Sequence, residues 1–275
     1  LDRLGGNEAI CDHMIELSGK EAPKVCLLPT ASGDPEDQIG RFTRAFGSRG
    51  CEVTDISLFR LGASPIDVSA HLLSRDVIYV GGGSLVNLVA IWKAHAIQEL
   101  MEAALDKGIL ICGQSAGAMV WFESGITSSS GRPAPADGLG LLEGSLCVHY
   151  HHDPERRIEF MKEISQGVMP AGYGCDDQTG LLFEDGRLVE AFTAREGAGV
   201  YRVEAEDGNA VETEVEARRI SARARSGATT SSAVEDFQEL NRWRRAPGLT
   251  RRRWAAGSAA RASAAPGPEH GRPFD

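Results

Sequence analysis

The chain has 275 residues, 42% of them hydrophobic, and a formal net charge of −10 at pH 7. Residues 217–275 hold 12 of the 29 basic residues and only 5 of the 39 acidic ones, so the part before residue 217 is strongly acidic. That excess argues against a nucleic-acid or anionic-membrane surface. No apolar run approaches the roughly 20 residues of a membrane span, and no secretory signal is visible.

Short apolar strands alternate with helices through the first half of the chain. The predicted strands are "VCLLP" (25–29), "CEVTDISLF" (51–59), "VIYV" (77–80) and "ILIC" (109–112). The predicted helices are 36–48, 65–73, a segment after the glycine triplet that puts Leu85, Leu88, Val89 and Trp92 on one stripe, and "AIQELMEAALDKG" (96–108). This alternation indicates an α/β fold whose mostly parallel sheet is covered on both faces.

The sequence pattern changes from about residue 180. Segments 180–192 and 199–215 each read as strand–turn–strand around an Asp-Gly pair, which predicts two hairpins at one edge of the same domain. Residues 217–275 are rich in Ala, Ser, Gly, Pro and Arg, so we expect a largely disordered tail, with a short helix around 232–245 as an option. The six cysteines form no CxxC pair, which favours reduced thiols and a cytoplasmic location.

The pentad "GQSAG" (113–117) follows the strand "ILIC" and precedes a second apolar stretch. A strand that turns sharply into a helix at Ser115 would lift its hydroxyl out of the backbone, with Gly113 and Gly117 avoiding collisions. The Ala116 N–H would then be free to bind an oxyanion at the helix N-terminus. The pentad also occurs by chance, so Ser115 is either a nucleophile or a small residue at a tight turn.

The triplet Gly81-Gly82-Gly83 ends a neighbouring strand. No Lys follows it and the G-x-G-x-x-G spacing is absent, so a phosphate loop is poorly supported. A plain turn is an alternative. We favour an oxyanion or substrate clamp beside Ser115, with Gly82 or Gly83 as the second amide donor.

The segment "VHYHHD" (148–153) holds three of the seven His residues. If it were a strand, His149 and His151 would share one face and His152 the other. A zinc site is one interpretation, but no second His or Cys pair complements the cluster. A base for Ser115 is the better one, because a turn before the predicted helix 154–167 would point one His across the sheet edge.

Taken in order, these motifs resemble the aspartyl dipeptidase (peptidase E) family of serine peptidases, which includes cyanophycinases. The resemblance covers roughly residues 8–216 and is carried by four segments: "IYVGGGSLVNLVAIWKA" (78–94), "GQSAGAMVWFESG" (113–125), "GLGLLEGSLCVHY" (138–150) and "PERRIEF" (154–160). It implies a three-layer, flavodoxin-like or glutamine-amidotransferase-like sandwich. It also implies hydrolysis of short peptides with an N-terminal Asp, without metal or cofactor.

The resemblance also implies roles for single residues. Ser115 matches the family's nucleophile and His149 its general base, which leaves His151 and His152 as bystanders. The family's third residue is less clear, because serines stand in "ITSSSGR" (126–132) where an Asp is expected. "YGCDDQTG" (173–180) offers Asp176 and Asp177, and alignment on "FEDG" favours Asp177, although the pair could be an ordinary acidic turn.

The resemblance implies that Arg157 binds the carboxylate of the substrate's Asp. A solvated Arg on the helix surface is an equally supported interpretation. The chain begins at Leu1, and only "LDRLGG" precedes the first helix where the family has a strand and a Gly-rich loop. We therefore expect that first strand to be missing from a 1–216 domain. A catalytically silent binding protein and a cyanophycinase-like hydrolase are the alternatives to a dipeptidase. As partners we expect a small peptide, no nucleic acid and no membrane, in a monomer or homodimer.

Overall fold

The computed structural model describes residues 3–223, with side chains from residue 8 onward. Its helices are α1 (Arg3–Leu17), α2 (Glu36–Gly47), α3 (Val68–Leu72), α4 (Leu85–Ala94), α5 (Ile97–Asp106), α6 (Ala116–Met119) and α7 (Pro154–Ser165). Its strands are β1 (Lys24–Leu28), β2 (Glu52–Asp55), β3 (Val77–Val80), β4 (Leu110–Gly113), β5 (Phe122–Thr127), β6 (Ala134–Asp137), β7 (Leu142–Val148), β8 (Gly172–Cys175), β9 (Thr179–Glu184), β10 (Arg187–Thr193), β11 (Val200–Glu206), β12 (Asn209–Val215) and β13 (Arg218–Arg219). The predicted helix at 232–245 lies outside the described residues.

The first sheet is parallel and has the strand order β2-β1-β3-β4. Alternate residues of β1 face opposite sides. Val25 and Leu27 pack with Phe42 and Phe46 of α2, whereas the other side of β1 packs with α4 and α5. The sheet is therefore covered on both faces, and the α/β sandwich predicted from the alternating pattern is confirmed.

The second sheet has the order β12-β11-β8-β7-β5-β6. Its centre is parallel, because β7 pairs in parallel with both β5 and β8. Helix α7 covers this sheet through Phe160 and Ile164, which share a buried cluster with Ile126, Cys147 and Val203. The predicted hairpin 199–215 forms as β11–β12 at one edge of this sheet, with a turn at Asp207 and Gly208, both at positive φ.

The other predicted hairpin forms as β9–β10 but belongs to a separate three-stranded sheet, β13-β10-β9. Strand β13 lies beyond residue 216, where the tail was expected to begin, and pairs with Phe192 and Thr193. The following Ile220 is 6% exposed and packs with Ala9 and Phe192. Packed structure therefore extends past residue 216 to Ile220.

One predicted strand is shorter than its pattern. Of residues 51–59, only Glu52–Asp55 form β2, and a 3-10 turn follows at Leu58–Arg60. Ile56, just after β2, and Leu58, in the turn, are both buried, so the apolar residues that extended the strand pattern pack in the core without continuing the strand.

No helix within residues 3–223 is long and apolar enough to cross a bilayer. Burial raises the pKa of the Cys26 and Cys175 thiols to about 12, so both stay protonated and unreactive at neutral pH.

Candidate active site

Ser115 lies on a strained turn between β4 and α6. Its backbone has φ 54° and ψ −114°, a conformation that non-glycine residues rarely adopt. A Cβ at Gly117 would overlap the carbonyl oxygen of Val80, and one at Gly113 would overlap the carbonyl of Gly117. Helix α6 is a single turn, and β5 begins soon after it at Phe122.

His149 follows directly after β7 ends at Val148. Its φ is 60°, so the chain leaves the strand there. The prediction that His149 and His151 share one face of a strand is therefore wrong. The left-handed backbone turns the imidazole toward Ser115, and its Nε2 atom lies 3.2 Å from Ser115 Oγ.

Asp177 reaches the other side of the same imidazole. Strands β7 and β8 run parallel with Val148 opposite Cys175, so the residues after each strand emerge side by side. The carboxylate of Asp177 is hydrogen-bonded to Nδ1 of His149. This hydrogen bond holds the pKa of Asp177 below its usual range, so Asp177 is ionised at neutral pH. The chain Ser115–His149–Asp177 is the hydrogen-bonding order of an activated serine.

The glycine triplet supplies backbone amides close to Ser115. A Cβ at Gly82 would lie 3.2 Å from Ser115 Cβ, so the glycine triplet runs directly beside Ser115. Gly83 abuts the carbonyl of Ala31 so closely that no side chain fits. Within residues 3–223, the N–H groups of Gly82, Gly83 and Ala116 donate no backbone hydrogen bond, so they are available to a ligand.

Arg157 does not join this group. Its guanidinium binds Glu212 of β12 in a bidentate ion pair, with Nη2–Oε1 at 2.6 Å and Nε–Oε2 at 3.0 Å. The Tyr150 hydroxyl donates to the same carboxylate at 2.7 Å. Hydrogen bonding to Arg157 holds the pKa of Glu212 below its usual range. A substrate carboxylate would have to displace Glu212 to bind the Nε–Nη2 edge of Arg157.

The other two His side chains of the cluster lie near carboxylates. His151 Nδ1 lies 3.0 Å from an Asp176 oxygen. His152 Nδ1 lies 3.9 Å from the Asp177 oxygen that His149 does not use. Residues 3–223 contain no group of three or more His, Cys, Asp or Glu side chains arranged to hold a metal ion.

The sequence indicates Asp176 and the serines of 126–132 but does not predict their contacts, and it is Asp177, not Asp176, that contacts His149. Asp176 is buried and accepts hydrogen bonds from separate parts of the chain. In the sequence these contacts were hidden because Asp176 and Asp177 resemble an ordinary acidic pair. Ser84, Ser129 and Thr127 form a hydroxyl chain with contacts of 3.0 and 2.7 Å. The serines of "ITSSSGR" therefore contact the residue that follows the glycine triplet, and their clustering was the available signal.

Comparison with known proteins gives one family. The model of peptidase family S51 matches residues 2–191. The chain is 38% identical over 197 residues to the uncharacterized peptidase YgaJ of Bacillus subtilis, covering 72% of this chain and 85% of that protein. It is 28% identical over 199 residues to a cyanophycinase of Synechococcus elongatus, covering 68% of this chain and 61% of the cyanophycinase.

Two more distant relatives agree with this assignment. Peptidase E of Streptomyces coelicolor is 24% identical over 176 residues, which cover 60% of this chain and 70% of that enzyme. The solved structure of a peptidase from an acI-B1 actinobacterium superposes with a TM-score of 0.56 at 17% identity, covering 81% of this chain and 93% of that one. At that identity the superposition establishes the shared fold.

Proposed function

Because the chain belongs to peptidase family S51 and is therefore a peptidase, we propose that it is a serine exopeptidase that cleaves short peptides with an N-terminal Asp. The observation that carries this proposal is the hydrogen-bonded order Ser115–His149–Asp177 beside three available amides. The preference for Asp rests on the resemblance to peptidase E. We propose the cytoplasm as its location.

In the proposed reaction, Ser115 Oγ attacks the carbonyl carbon of the scissile peptide bond. His149 Nε2 takes the hydroxyl proton, and Asp177 stabilises the resulting imidazolium and fixes its tautomer. The amides of Ala116 and of Gly82 or Gly83 donate to the tetrahedral oxyanion. When the C–N bond breaks, His149 gives the proton to the leaving amine. Water, deprotonated by His149, then hydrolyses the acyl-enzyme and restores Ser115.

The decisive experiment compares wild type with Ser115→Ala on a panel of substrates. We expect wild type to hydrolyse Asp-Leu and Asp-Ala, and Ser115→Ala to lose at least about 10⁴-fold in kcat, as removal of a serine nucleophile does. Wild-type turnover by the folded Ser115→Ala protein would exclude Ser115 as the nucleophile. Failure of wild type on every peptide would favour a silent, binding member of the family.

A cyanophycinase-like hydrolase is the second candidate, favoured by the match to cyanophycinase. Against it, only 33 residues separate Ser115 from His149, which leaves little room for a polymer groove. Including isoaspartyl dipeptides and cyanophycin in the same panel separates the two functions. Turnover of cyanophycin in preference to Asp-Leu would replace the dipeptidase proposal.

That Arg157 binds the carboxylate of the substrate is a separate part of the proposal. If Arg157 binds the Asp side chain, Glu212→Gln should weaken the competing ion pair and lower KM for Asp-Leu. Arg157→Ala should raise that KM but leave the KM for Ala-Leu unchanged. Equal effects on both dipeptides would show that Arg157 serves only to join α7 to β12.

A further inference from the structure

Asp176 is a buried carboxylate directly before Asp177. It is 6% exposed, and burying a charge is costly unless donors compensate it. One of its oxygens accepts from the His151 amide at 3.0 Å and lies 3.0 Å from His151 Nδ1. The other oxygen accepts from the Gly199 amide at 3.0 Å. Both oxygens are thus engaged within the protein, and neither contacts His149.

These contacts join the segments that carry the proposed base and its orienting carboxylate. His151 is two residues after His149, and Asp176 is adjacent to Asp177. The Asp176 backbone is fixed as well, because its carbonyl accepts from the Thr179 hydroxyl at 2.8 Å and its amide donates to Gly199 at 3.1 Å. The carboxylate therefore connects the turn after β7, the turn after β8 and the start of β11.

The turn at His149 needs such support. A non-glycine residue at φ 60° is strained and persists only where surrounding contacts over-determine it. Two backbone hydrogen bonds contribute: the Tyr150 amide donates to Cys175 at 3.1 Å and the Asp153 amide donates to His149 at 2.8 Å. Asp176 accepts a hydrogen bond from the His151 amide, which lies between these two amides in the sequence.

We propose that Asp176 is a positioning residue, whose carboxylate holds the His149 turn in register with Asp177. The inference rests on the proposed function, in which His149 is the base. Asp176 contacts neither the His149 imidazole nor Ser115, so its effect on catalysis is exerted through the backbone. Loss of the carboxylate would let His149 relax from its left-handed conformation and separate from both Asp177 and Ser115.

The chain offers a matched control in Asp12. Asp12 is also 6% exposed. Its carboxylate accepts from the Arg49 guanidinium at 2.7 Å and from the Arg223 amide at 2.8 Å. These contacts join α1 to the end of α2 and to the last described residues. A purely structural role for Asp176 would make Asp176→Asn and Asp12→Asn behave alike.

The test measures kcat and KM for Asp-Leu across pH, with thermal unfolding, for Asp176→Ala, Asp176→Asn and Asp12→Asn. We expect Asp176→Ala to lose about 10²-fold in kcat, the effect of displacing a catalytic group by about 1 Å. Asp176→Asn keeps an acceptor for His151 but sets an NH₂ group against the Gly199 amide, so we expect a loss of about tenfold, equal to about 1.4 kcal/mol. KM should change little, and Asp12→Asn should keep wild-type kcat per folded molecule.

A second readout does not depend on turnover. In proton NMR, the His149 Nδ1–H that is shared with Asp177 should give a low-field resonance, assigned by its loss in Asp177→Asn. We expect Asp176→Ala and Asp176→Asn to weaken or shift it and Asp12→Asn to leave it intact. If wild type cleaves no peptide, the proposed function fails, and this resonance still tests the positioning role.

The proposal is overturned if folded Asp176→Ala keeps wild-type kcat, pH profile and resonance, or if Asp12→Asn lowers kcat as much as Asp176→Asn. Should Asp176→Ala not fold, Asp176→Asn decides the question. Wild-type kcat, pH profile and resonance in Asp176→Asn would then refute the role.

Discussion

Replacing Asp177 with Asn removes one charge from the hydrogen-bonded chain while keeping the size of the side chain. In the native site, Asp177 accepts from His149 Nδ1, so Nε2 presents its lone pair to Ser115 Oγ at 3.2 Å. The NH₂ group of Asn can instead donate to Nδ1, which moves the proton to Nε2. A protonated Nε2 cannot accept the serine proton, so the base is lost along with the charge that stabilises the imidazolium.

The expected loss follows from these two effects and from the exposure of the site. Removing the equivalent charge in serine proteases lowers kcat about 10⁴-fold, which is about 5.4 kcal/mol in the barrier. The Asp177 side chain is 24% exposed, so water partly replaces the lost acceptor, and we expect a loss of 10³–10⁴-fold, or about 4–5.4 kcal/mol. At neutral pH the variant also loses the stabilisation that the ionised, hydrogen-bonded Asp177 provides, so kcat is compared per folded molecule.

The assay is steady-state hydrolysis of Asp-Leu, followed through the released amine. Asp185→Asn is the matched control, because Asp185 is an exposed turn residue with φ 47°, a conformation that Asn tolerates. Asp185→Asn should keep wild-type kcat. A folded Asp177→Asn enzyme within about tenfold of wild-type kcat would refute the reasoning, since tenfold corresponds to only about 1.4 kcal/mol.

Two further predictions concern stability. Ser115→Gly should abolish activity yet raise the free energy of unfolding in urea by about 1 kcal/mol. The reason is that relief of about 1–3 kcal/mol of backbone strain at φ 54° exceeds the entropy cost of Gly. A less stable Ser115→Gly protein would show that the turn stores no strain. The pKa of Asp177 in the folded state is lowered, first by its hydrogen bond to His149. The ionised Asp177 therefore stabilises the folded protein above the usual Asp pKa of about 3.9, and this stabilisation is lost as pH falls through the lower folded value. Urea unfolding below about pH 4 should therefore lose less stability in Asp177→Asn than in wild type, and equal losses would contradict this linkage.

The local features of the site could be predicted because they depend on short stretches of sequence. Apolar runs and glycines located Ser115 and the triplet 81–83, and their adjacency follows from the parallel pairing of β3 with β4. Asp177 was indicated by the family resemblance, through alignment on "FEDG", and the structure explains its proximity to His149 by the parallel pairing of β7 with β8. The adjacency of Ser115 and the triplet needs only strand ends and the rule that parallel strands end at the same edge of a sheet.

Features that depend on distant pairing could not be predicted. Arg157 is bound by Glu212, 55 residues away, and that contact exists only because α7 packs on β12, which no periodicity reports. The left-handed backbone of His149 likewise could not be predicted, because the residue pattern around it alternates as in a β-strand. The role of Asp176 depends on Gly199, so the Asp-Asp pair alone looked like an acidic turn.

The most direct test of the account is covalent labelling of Ser115. A fluorophosphonate reacts with a serine only where a base and an oxyanion site activate it, so labelling reports on the site without any assumption about substrate. We expect a single adduct per folded chain, mapped by mass spectrometry to Ser115, absent from Ser115→Ala and strongly reduced in His149→Ala. If the folded wild-type protein cleaves Asp-Leu while Ser115 stays unlabelled, or if Ser115→Ala cleaves it equally well, the central claim that Ser115 is the nucleophile is contradicted.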